Sequence, residues 1–254
     1  MKTLLNKKSI LVKTLPFVVG IVVLKYALHM LGFEYIELNA LFTSFIAANV
    51  FLLGFLMAGV LTDFKESEKL PGELSVRLES IADEAQMLYE TKKLKEAKEC
   101  VEHVRLLILC LKGWFYKKER TRTVFDLISA LNPLFSAFEP HTQANYIVRL
   151  KQEQTNIRRI VTRIDAIRDT SFISSGYRIV EVNSVLLILG LITLRLDPFI
   201  NSLFLTGSIS LLFLYLIFLI KDLDDPFGYH SKDSFENVSI KAIEDLESRL
   251  KADI

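Results

Sequence analysis

Four long apolar segments constrain the fold of this chain more than any other feature. They are Thr14–Phe33, Leu38–Leu61, Asn183–Leu194 and Phe199–Ile220. A helix that crosses a bilayer needs about 20 mostly apolar residues. The second and fourth segments reach that length unaided, and the third reaches it if Tyr177–Val182 extends it. The sequence therefore predicts an all-α membrane protein with four transmembrane helices in two hairpins.

The region between the hairpins has a different composition. The 254 residues are 51% hydrophobic and yet 24% charged, a mixture typical of membrane helices joined to a soluble part. Residues 64–178 show helical periodicity, and the prolines at 133 and 140 predict helix boundaries near Leu131 and Phe138. We therefore expect an N-terminal segment with the first hairpin (1–62), a cytosolic helical domain (63–178), the second hairpin (179–221), and an acidic loop with a tail helix (222–254).

Lysine placement predicts the orientation. Lys2, Lys7, Lys8 and Lys13 precede the first span, the two short turns hold a single basic residue, Arg195, and the middle region is rich in Lys and Arg. The positive-inside rule then places both termini and the middle region in the cytoplasm. A second span follows the first at once, which argues against a cleaved signal peptide. The net charge of only +1 does not indicate nucleic-acid binding.

The sequence offers no arrangement typical of an enzyme. The four histidines are scattered, and there is no phosphate-binding loop or nucleophile motif. Cys100 and His103 share a helical face, but a structural zinc site usually needs four ligands. We interpret this pair as ordinary packing and expect a protein that is not an enzyme.

The first span carries two ionisable residues, Lys25 and His29, four positions apart on one helical face. An ionisable group inside a membrane is a candidate functional site, because burying its charge is costly. One interpretation places these side chains as cations in the outer vestibule of a pore. The other is that Lys25 extends its ammonium to the membrane surface without a specific role.

The second span contains a stripe of residues at a four-residue spacing: Thr43, Ala47, Phe51, Phe55 and Gly59. Such a stripe is usually packing. It can also line a hydrophobic constriction when several copies surround one axis. Asn49 in the same span predicts a hydrogen bond to a neighbouring helix.

The layout and two local motifs resemble the bestrophins, including their bacterial members. Phe51-Leu52-Leu53-Gly54-Phe55 is similar to the apolar Leu-Gly-Phe run of that family's pore helix, and Glu66, Lys69 and Gly72 follow at the family's spacing. Pro226-Phe227-Gly228 is similar to the segment after the last span of animal bestrophins. The chain departs from the family at Leu56-Met57, where bacterial relatives often carry Arg-Asn, and in lacking an Asp-Arg-Trp-Trp run.

The resemblance implies a candidate cation loop after the last span. In animal bestrophins the corresponding loop binds calcium, and the acids here are Asp222, Asp225, Asp233 and Glu236. A calcium site takes about 6–8 oxygen ligands, and the positive charge of Lys232 opposes one. The alternative is a structural loop in which Pro226 ends the helix and Phe227 docks on a neighbour. No other cofactor is expected.

The resemblance also implies the function. We expect a homopentameric channel for small inorganic ions in the inner membrane of a bacterium, with Ala47, Phe51 and Phe55 forming the neck of the pore. Phenyl ring edges carry partial positive charge, which suits an anion such as chloride, although the sign of the ion stays open. The tail from Ser234 to Lys251 is predicted to form a helix that wraps around an adjacent subunit. The alternative is a membrane-anchored interaction or sensory protein without a pore.

Overall fold

The computed structural model describes residues 10–169, 174–229 and 235–252, and these divide into two compact units. The first unit holds residues 10–64, 174–225, 235 and 236 of the described chain, and the second holds residues 65–169, 226–229 and 237–252. Most of the described residues are helical, which confirms the prediction of an all-α membrane protein. The division of the chain into four parts by residue number stays a prediction.

The first unit is built from four helices in two hairpins, and a short turn joins the two helices of each hairpin. All four are long and apolar enough to cross a membrane, including the third, which needed the extension toward Tyr177. Helix α1 packs closely against α9, and α8 packs against both. The bounds are α1 Ile10–Met30, α2 Ala40–Ser67, α8 Ser174–Ile192 and α9 Phe199–Leu223.

The two hairpin turns of the first unit pair with each other. Strand β1 (Ile36–Glu37) runs parallel to β2 (Leu194–Arg195), with Ile36 opposite Leu194. The Tyr35 and Ile36 amides both donate to the Thr193 carbonyl, at 3.1 and 3.2 Å. The sequence predicted turns here but no strands, because two residues are too few to show an alternating pattern.

The second unit is a bundle of helices with a continuous apolar core. Helix α3 begins beside Pro71 and ends where Lys93 adopts a left-handed conformation and donates to the Tyr89 carbonyl. The predicted boundaries near Leu131 and Phe138 are confirmed, since α6 begins and ends there. The bounds are α3 Leu70–Lys92, α4 Lys95–Phe115, α5 Thr121–Ser129, α6 Leu131–Phe138, a 3-10 turn Glu139–His141, α7 Ala144–Asp169 and α10 Lys241–Ala252.

The tail differs from its prediction. The helix begins at Lys241 rather than Ser234, because the described residues 235–240 are not helical, and the Ser239 hydroxyl accepts a hydrogen bond from the Lys241 amide at the helix start. Ile243, Leu246 and Leu250 are buried, and α10 packs against α3 and α4 of the same chain. The apolar side of this helix is therefore already covered without an adjacent subunit.

Candidate functional site

Helix α2 presents an uncovered face within the first unit. The Phe51 and Phe55 side chains on that face are 76% and 67% exposed, and Ala47 is exposed one turn earlier. Most other exposed residues of this face are small or carry a hydroxyl, while Leu41 and Leu61 at its edges are large and apolar. The small and hydroxyl residues are Thr43, Ser44, Ala48, Gly54, Ala58 and Thr62. The three predicted neck residues thus share one uncovered face. Their four-residue spacing predicted the shared face but not its exposure. Their role as a neck stays a prediction.

The opposite side of α2 packs inside the unit. Leu53, Leu56 and Val60 are buried. The Phe42 ring lies so close to α8 that a Cβ atom on Gly190 would come within 2.7 Å of it. A side chain at position 190 would therefore push the two helices apart. This packing fixes which face of α2 is left uncovered.

Asn49 corrects one prediction on this helix. Its side-chain amide donates to the Phe45 carbonyl at 2.9 Å, within α2 itself, rather than to a neighbouring helix. The buried amide is thereby satisfied through the backbone four residues earlier, an arrangement that the sequence does not distinguish from a bond between helices.

Lys25 and His29 meet a common partner at the end of α1. The fully buried Lys25 ammonium lies 2.5 Å from Glu34 Oε1 and also donates to the Leu194 carbonyl, which accepts a further bond from the Ser202 hydroxyl at 3.1 Å. His29 Nδ1 lies 2.8 Å from Glu34 Oε2. The Lys25 ammonium is therefore held by protein groups in the two hairpin turns, and both the reach toward the membrane surface and a vestibule role for the pair stay predictions.

Glu34 is the residue of this cluster that sequence reasoning missed. It lies in the turn after α1, nine positions from Lys25, so helical spacing does not connect the two. Burial acts to raise the pKa of Glu34, but the hydrogen bonds and charges of Lys25 and His29 together bring that pKa below its usual value. The one available signal was physical: a lysine buried in an apolar helix needs an acid nearby.

His29 also stacks on an aromatic ring. Its imidazole lies nearly parallel to the Phe199 ring at the start of α9, with the centroids 3.6 Å apart, and the Lys25 ammonium lies 5.9 Å from the same ring centre. Cations and aromatic faces attract each other, so Phe199 contributes to holding both groups.

The acidic loop after α9 is organised by Asp222. Its carboxylate accepts hydrogen bonds from the Phe235 and Glu236 amides, at 3.0 and 2.8 Å to the nearer oxygen. The Asp225 amide donates to the Asp222 carbonyl at 3.3 Å. Asp233 lies outside the described residues. Among those that are described, no group of three acids, histidines or cysteines is close enough to hold a metal ion.

Calcium binding by this loop stays a prediction. An amide hydrogen points at each oxygen of Asp222, and each oxygen keeps a further lone pair, so these bonds are compatible with a structural role and with cation binding. The adjoining residues of the second unit have structural contacts: Phe227 is fully buried with its ring 5.8 Å from that of Phe115, and the Tyr229 hydroxyl donates to the Val238 carbonyl. These contacts match the alternative interpretation of a structural loop.

Comparison with known proteins gives a clear result for the fold. No protein-family model matches the sequence, and no curated protein is similar to it. Solved structures of a bacterial bestrophin homologue from Klebsiella pneumoniae are similar over nearly the whole chain. One single-substitution variant has a TM-score of 0.74 at 16% identity, covering 95% of this chain and 98% of that one. The form solved by Zn-SAD phasing has a TM-score of 0.73 at 14% identity, covering 96% of both chains. The fold is therefore bestrophin-like.

Proposed function

We propose that this chain is one subunit of a homopentameric channel of the bestrophin type, which conducts small monovalent ions across a bacterial inner membrane. Five copies of α2 surround the axis, and Ala47, Phe51 and Phe55 form a hydrophobic neck. Both termini and the second unit lie in the cytoplasm, as the lysine distribution indicates. The observation that supports the proposal most strongly is the uncovered face of α2 in a chain with this fold.

The composition of that face separates a pore from a lipid contact. The exposed residues of α1 are mostly large and apolar, among them Leu15, Phe17 and Val23, as suits lipid. Between Leu41 and Leu61, the exposed face of α2 instead consists mainly of alanine, glycine and hydroxyl residues with two phenyl rings. Small residues allow helices to approach closely, so this composition suits a ring of helices around a common axis.

A ring of phenylalanines acts on ions by excluding water. An apolar constriction gates by drying, since an ion loses hydration there without gaining a polar partner. Ring edges that point inward offer weak partial positive charge to an anion. The hydroxyls of Thr43, Ser44 and Thr62 at the two ends of the face each donate to a carbonyl four residues back, at 2.7–3.0 Å, so the helix itself satisfies them.

The decisive variant is Phe51→Ala combined with Phe55→Ala, with single-channel current measured in a planar bilayer. Removing both rings widens and wets the neck, so we expect a larger unitary conductance and weaker gating in a protein that still assembles. Phe204→Ala is the matched control, because Phe204 on α9 is also 76% exposed but belongs to a different helix. Its conductance should equal that of the unmodified protein.

Oligomeric state separates the proposal from the alternative. Native mass spectrometry of the detergent-solubilised protein should give a pentamer. A monomer or dimer, or a pentamer whose unitary current is the same with and without the two rings, would contradict a neck at Phe51 and Phe55. A monomer without current would favour a membrane-anchored interaction or sensory protein.

A further inference from the structure

Two neighbouring helices of the second unit, α3 and α4, each carry an uncovered stripe along their length. The α3 stripe consists of Val76, Asp83, Met87 and Glu90, all of them exposed. Seven residues separate Val76 from Asp83 and Asp83 from Glu90, which is nearly two helical turns each time and keeps them on one side of the helix. Val76 and Met87 are large apolar side chains that the described chain leaves open to solvent.

The α4 stripe has a different composition. It consists of Lys98, Glu102, Arg105, Leu106 and Leu109. Leu106 and Leu109 are exposed, and Glu102 lies 3.5 Å from Arg105. A groove with a mainly apolar lining follows the first half of this stripe, since the stems of the charged side chains form its walls. The groove is lined by Lys95, Lys98, Glu99, Glu102, His103 and Leu106.

The two stripes point in opposite directions. Helices α3 and α4 pack against each other, and buried residues such as Leu74 and Leu78 on α3 or Leu107 and Leu111 on α4 lie on the helix sides opposite the stripes. Each copy of the chain therefore has two different surfaces that face away from each other. A closed ring needs two such surfaces, because one surface of a copy contacts a different surface of the next copy.

The stripes also agree in height along the helices. A two-residue turn, Lys93 and Leu94, joins α3 to α4, so residues equally far from this turn lie at the same height, beginning with Lys92 and Lys95. Rotation about an axis that runs along the helices keeps every residue at its height. Placing the α3 stripe of one copy on the α4 stripe of the next therefore brings together residues that agree in height to about 3 Å. The pairs are Glu90 with Lys98, Asp83 with Arg105, and Val76 with Leu109.

The chemistry of these pairs favours this contact over a contact between like stripes. Two pairs join opposite charges, and the third joins two apolar side chains. Met87 lies at the height of Cys100, beside the groove, and its flexible thioether suits the apolar lining. A twofold contact between two α3 stripes would instead bring carboxylates together, because both charged residues of that stripe, Asp83 and Glu90, are acids.

We propose that the α3 stripe of each subunit packs against the α4 stripe of the next, so that the second units of the oligomer form a closed ring. The apolar side chains of both stripes are buried in this contact, and the two charge pairs fix its register. This inference rests on the proposed function, because that function supplies the ring of identical chains.

Disulfide cross-linking of the full-length protein tests the contact. Val76→Cys and Leu109→Cys are combined in a chain whose own cysteines are replaced by Cys100→Ala and Cys110→Ser, and the detergent-solubilised protein is oxidised. The two new cysteines cannot join within one chain, because the stripes face opposite ways. We expect a ladder of cross-linked species that ends at the pentamer.

The matched control combines Val76→Cys with Lys98→Cys in the same background. Val76 has the height of Leu111, and Lys98 lies about 20 Å from there along α4, so a disulfide cannot span the gap. This variant should stay without cross-links. A cross-linked dimer of the protein that carries Val76→Cys alone would reveal a twofold contact between α3 stripes and overturn the proposal.

A charge exchange tests the register separately. Glu90→Lys places two lysines together and should increase the fraction of dissociated subunits in native mass spectrometry, whereas Glu90→Lys combined with Lys98→Glu should restore the assembly. Glu139→Lys changes an exposed acid outside both stripes and should have no effect. A double variant that assembles no better than Glu90→Lys contradicts the pairing.

The inference and the channel function can fail independently. A pentamer that forms no cross-link between positions 76 and 109 overturns the proposed contact and leaves the channel function in place. A complete ladder in a protein that carries no current in a bilayer supports the contact and refutes the channel function.

Discussion

Two groups of phenylalanines, one in each unit, occupy opposite environments. In the second unit the rings of Phe115, Phe135 and Phe138 are fully buried. In the first unit Phe51 and Phe55 lie on the uncovered face of α2. The residue type is the same, and helical periodicity predicts both groups equally well. Only the burial of the side chain distinguishes a ring that stabilises its own chain from a ring that is free to contact other chains or to line a pore.

The difference shows which phenylalanine side chains are buried by contacts within a single chain and which are not. Burying a phenylalanine side chain is worth about 1.5–3 kcal/mol, and in the second unit the chain itself provides that burial. Phe115 packs with Trp114 at 5.2 Å and with Phe227 at 5.8 Å between ring centres. Phe51 receives no such cover from the described residues of its own chain. A stability measurement should therefore separate the two groups.

The largest effect is expected from Phe115→Ala. The substitution removes a fully buried ring from an aromatic cluster and should lower the free energy of unfolding by about 3–5 kcal/mol, the range for large-to-small changes in cores. Phe51→Ala makes the same chemical change on an uncovered face and should alter that free energy by no more than about 0.5 kcal/mol. Thermal unfolding of the two variants in detergent checks the comparison.

Equal destabilisation by the two substitutions would break the comparison. It would mean that Phe51 packs in the assembled protein as firmly as Phe115 does in its own chain. Phe51 and Phe55 would then be packing residues between helices and not residues of a neck. Phe135→Ala is a second variant of the buried group and should behave like Phe115→Ala. Agreement between these two would show that burial, and not one special contact, sets the effect.

Much of the fold followed from the sequence because it depends on local patterns. Span length predicted four membrane helices, and in α3 the buried residues Leu74, Leu78 and Ile81 fall on the expected helical face. Val76 and Met87 of the same helix are also apolar but exposed, so an apolar residue in a periodic region is not always on the buried face. The start of the tail helix was missed by seven residues because the apolar residues Val238 and Ile240, which suggested a helical face, are buried in a segment without helical structure.

The candidate site was less predictable because its contacts join distant positions. Spacing placed Lys25 beside His29, and it placed Phe51 on the same face as Phe55. No local pattern connects Lys25 with the Leu194 carbonyl, which is 169 residues away. Backbone carbonyls and amides, such as those that Lys25 and Asp222 use, carry no signal in the sequence at all.

The contrast between covered and uncovered groups extends to ion pairs, where the next largest effect is expected. Glu247 on α10 is buried, with its carboxylate 2.5 Å from the Lys112 ammonium, and it also accepts a bond from Lys251. Glu247→Gln leaves Lys112 without its charge partner and should lower the free energy of unfolding by about 1–3 kcal/mol. Urea unfolding at neutral pH measures the loss.

The pH dependence of this pair has a defined sign. The hydrogen bonds from Lys112 and Lys251 lower the pKa of Glu247 below its ordinary 4.5, and the bond to Glu247 raises the pKa of Lys112 above its ordinary 10.5. The contribution of Glu247 is therefore present above pH 4.5 and is lost as the pH falls through its folded-state pKa. Glu247→Gln should remove this part of the acid sensitivity. An unchanged acid dependence would show that other carboxylates account for it.

The smallest effect is expected for Glu66 and Arg163, an ion pair with good geometry but little cover. Two hydrogen bonds of 2.9 and 2.8 Å join the guanidinium to the carboxylate, and the bond from Arg163 is the main reason that the pKa of Glu66 is lowered. Both side chains are nearly half exposed, however, so water and salt screen the pair.

A double-mutant cycle with Glu66→Gln and Arg163→Gln should give a coupling of about 0.2–1 kcal/mol that decreases in high salt. The cycle is needed because Arg163 has a further interaction, which the single variants would also disturb. A coupling as large as the loss in Glu247→Gln, and insensitive to salt, would mean that the assembled protein buries this pair. Glu66 would then belong, like Phe115, to the buried groups and not to the exposed ones.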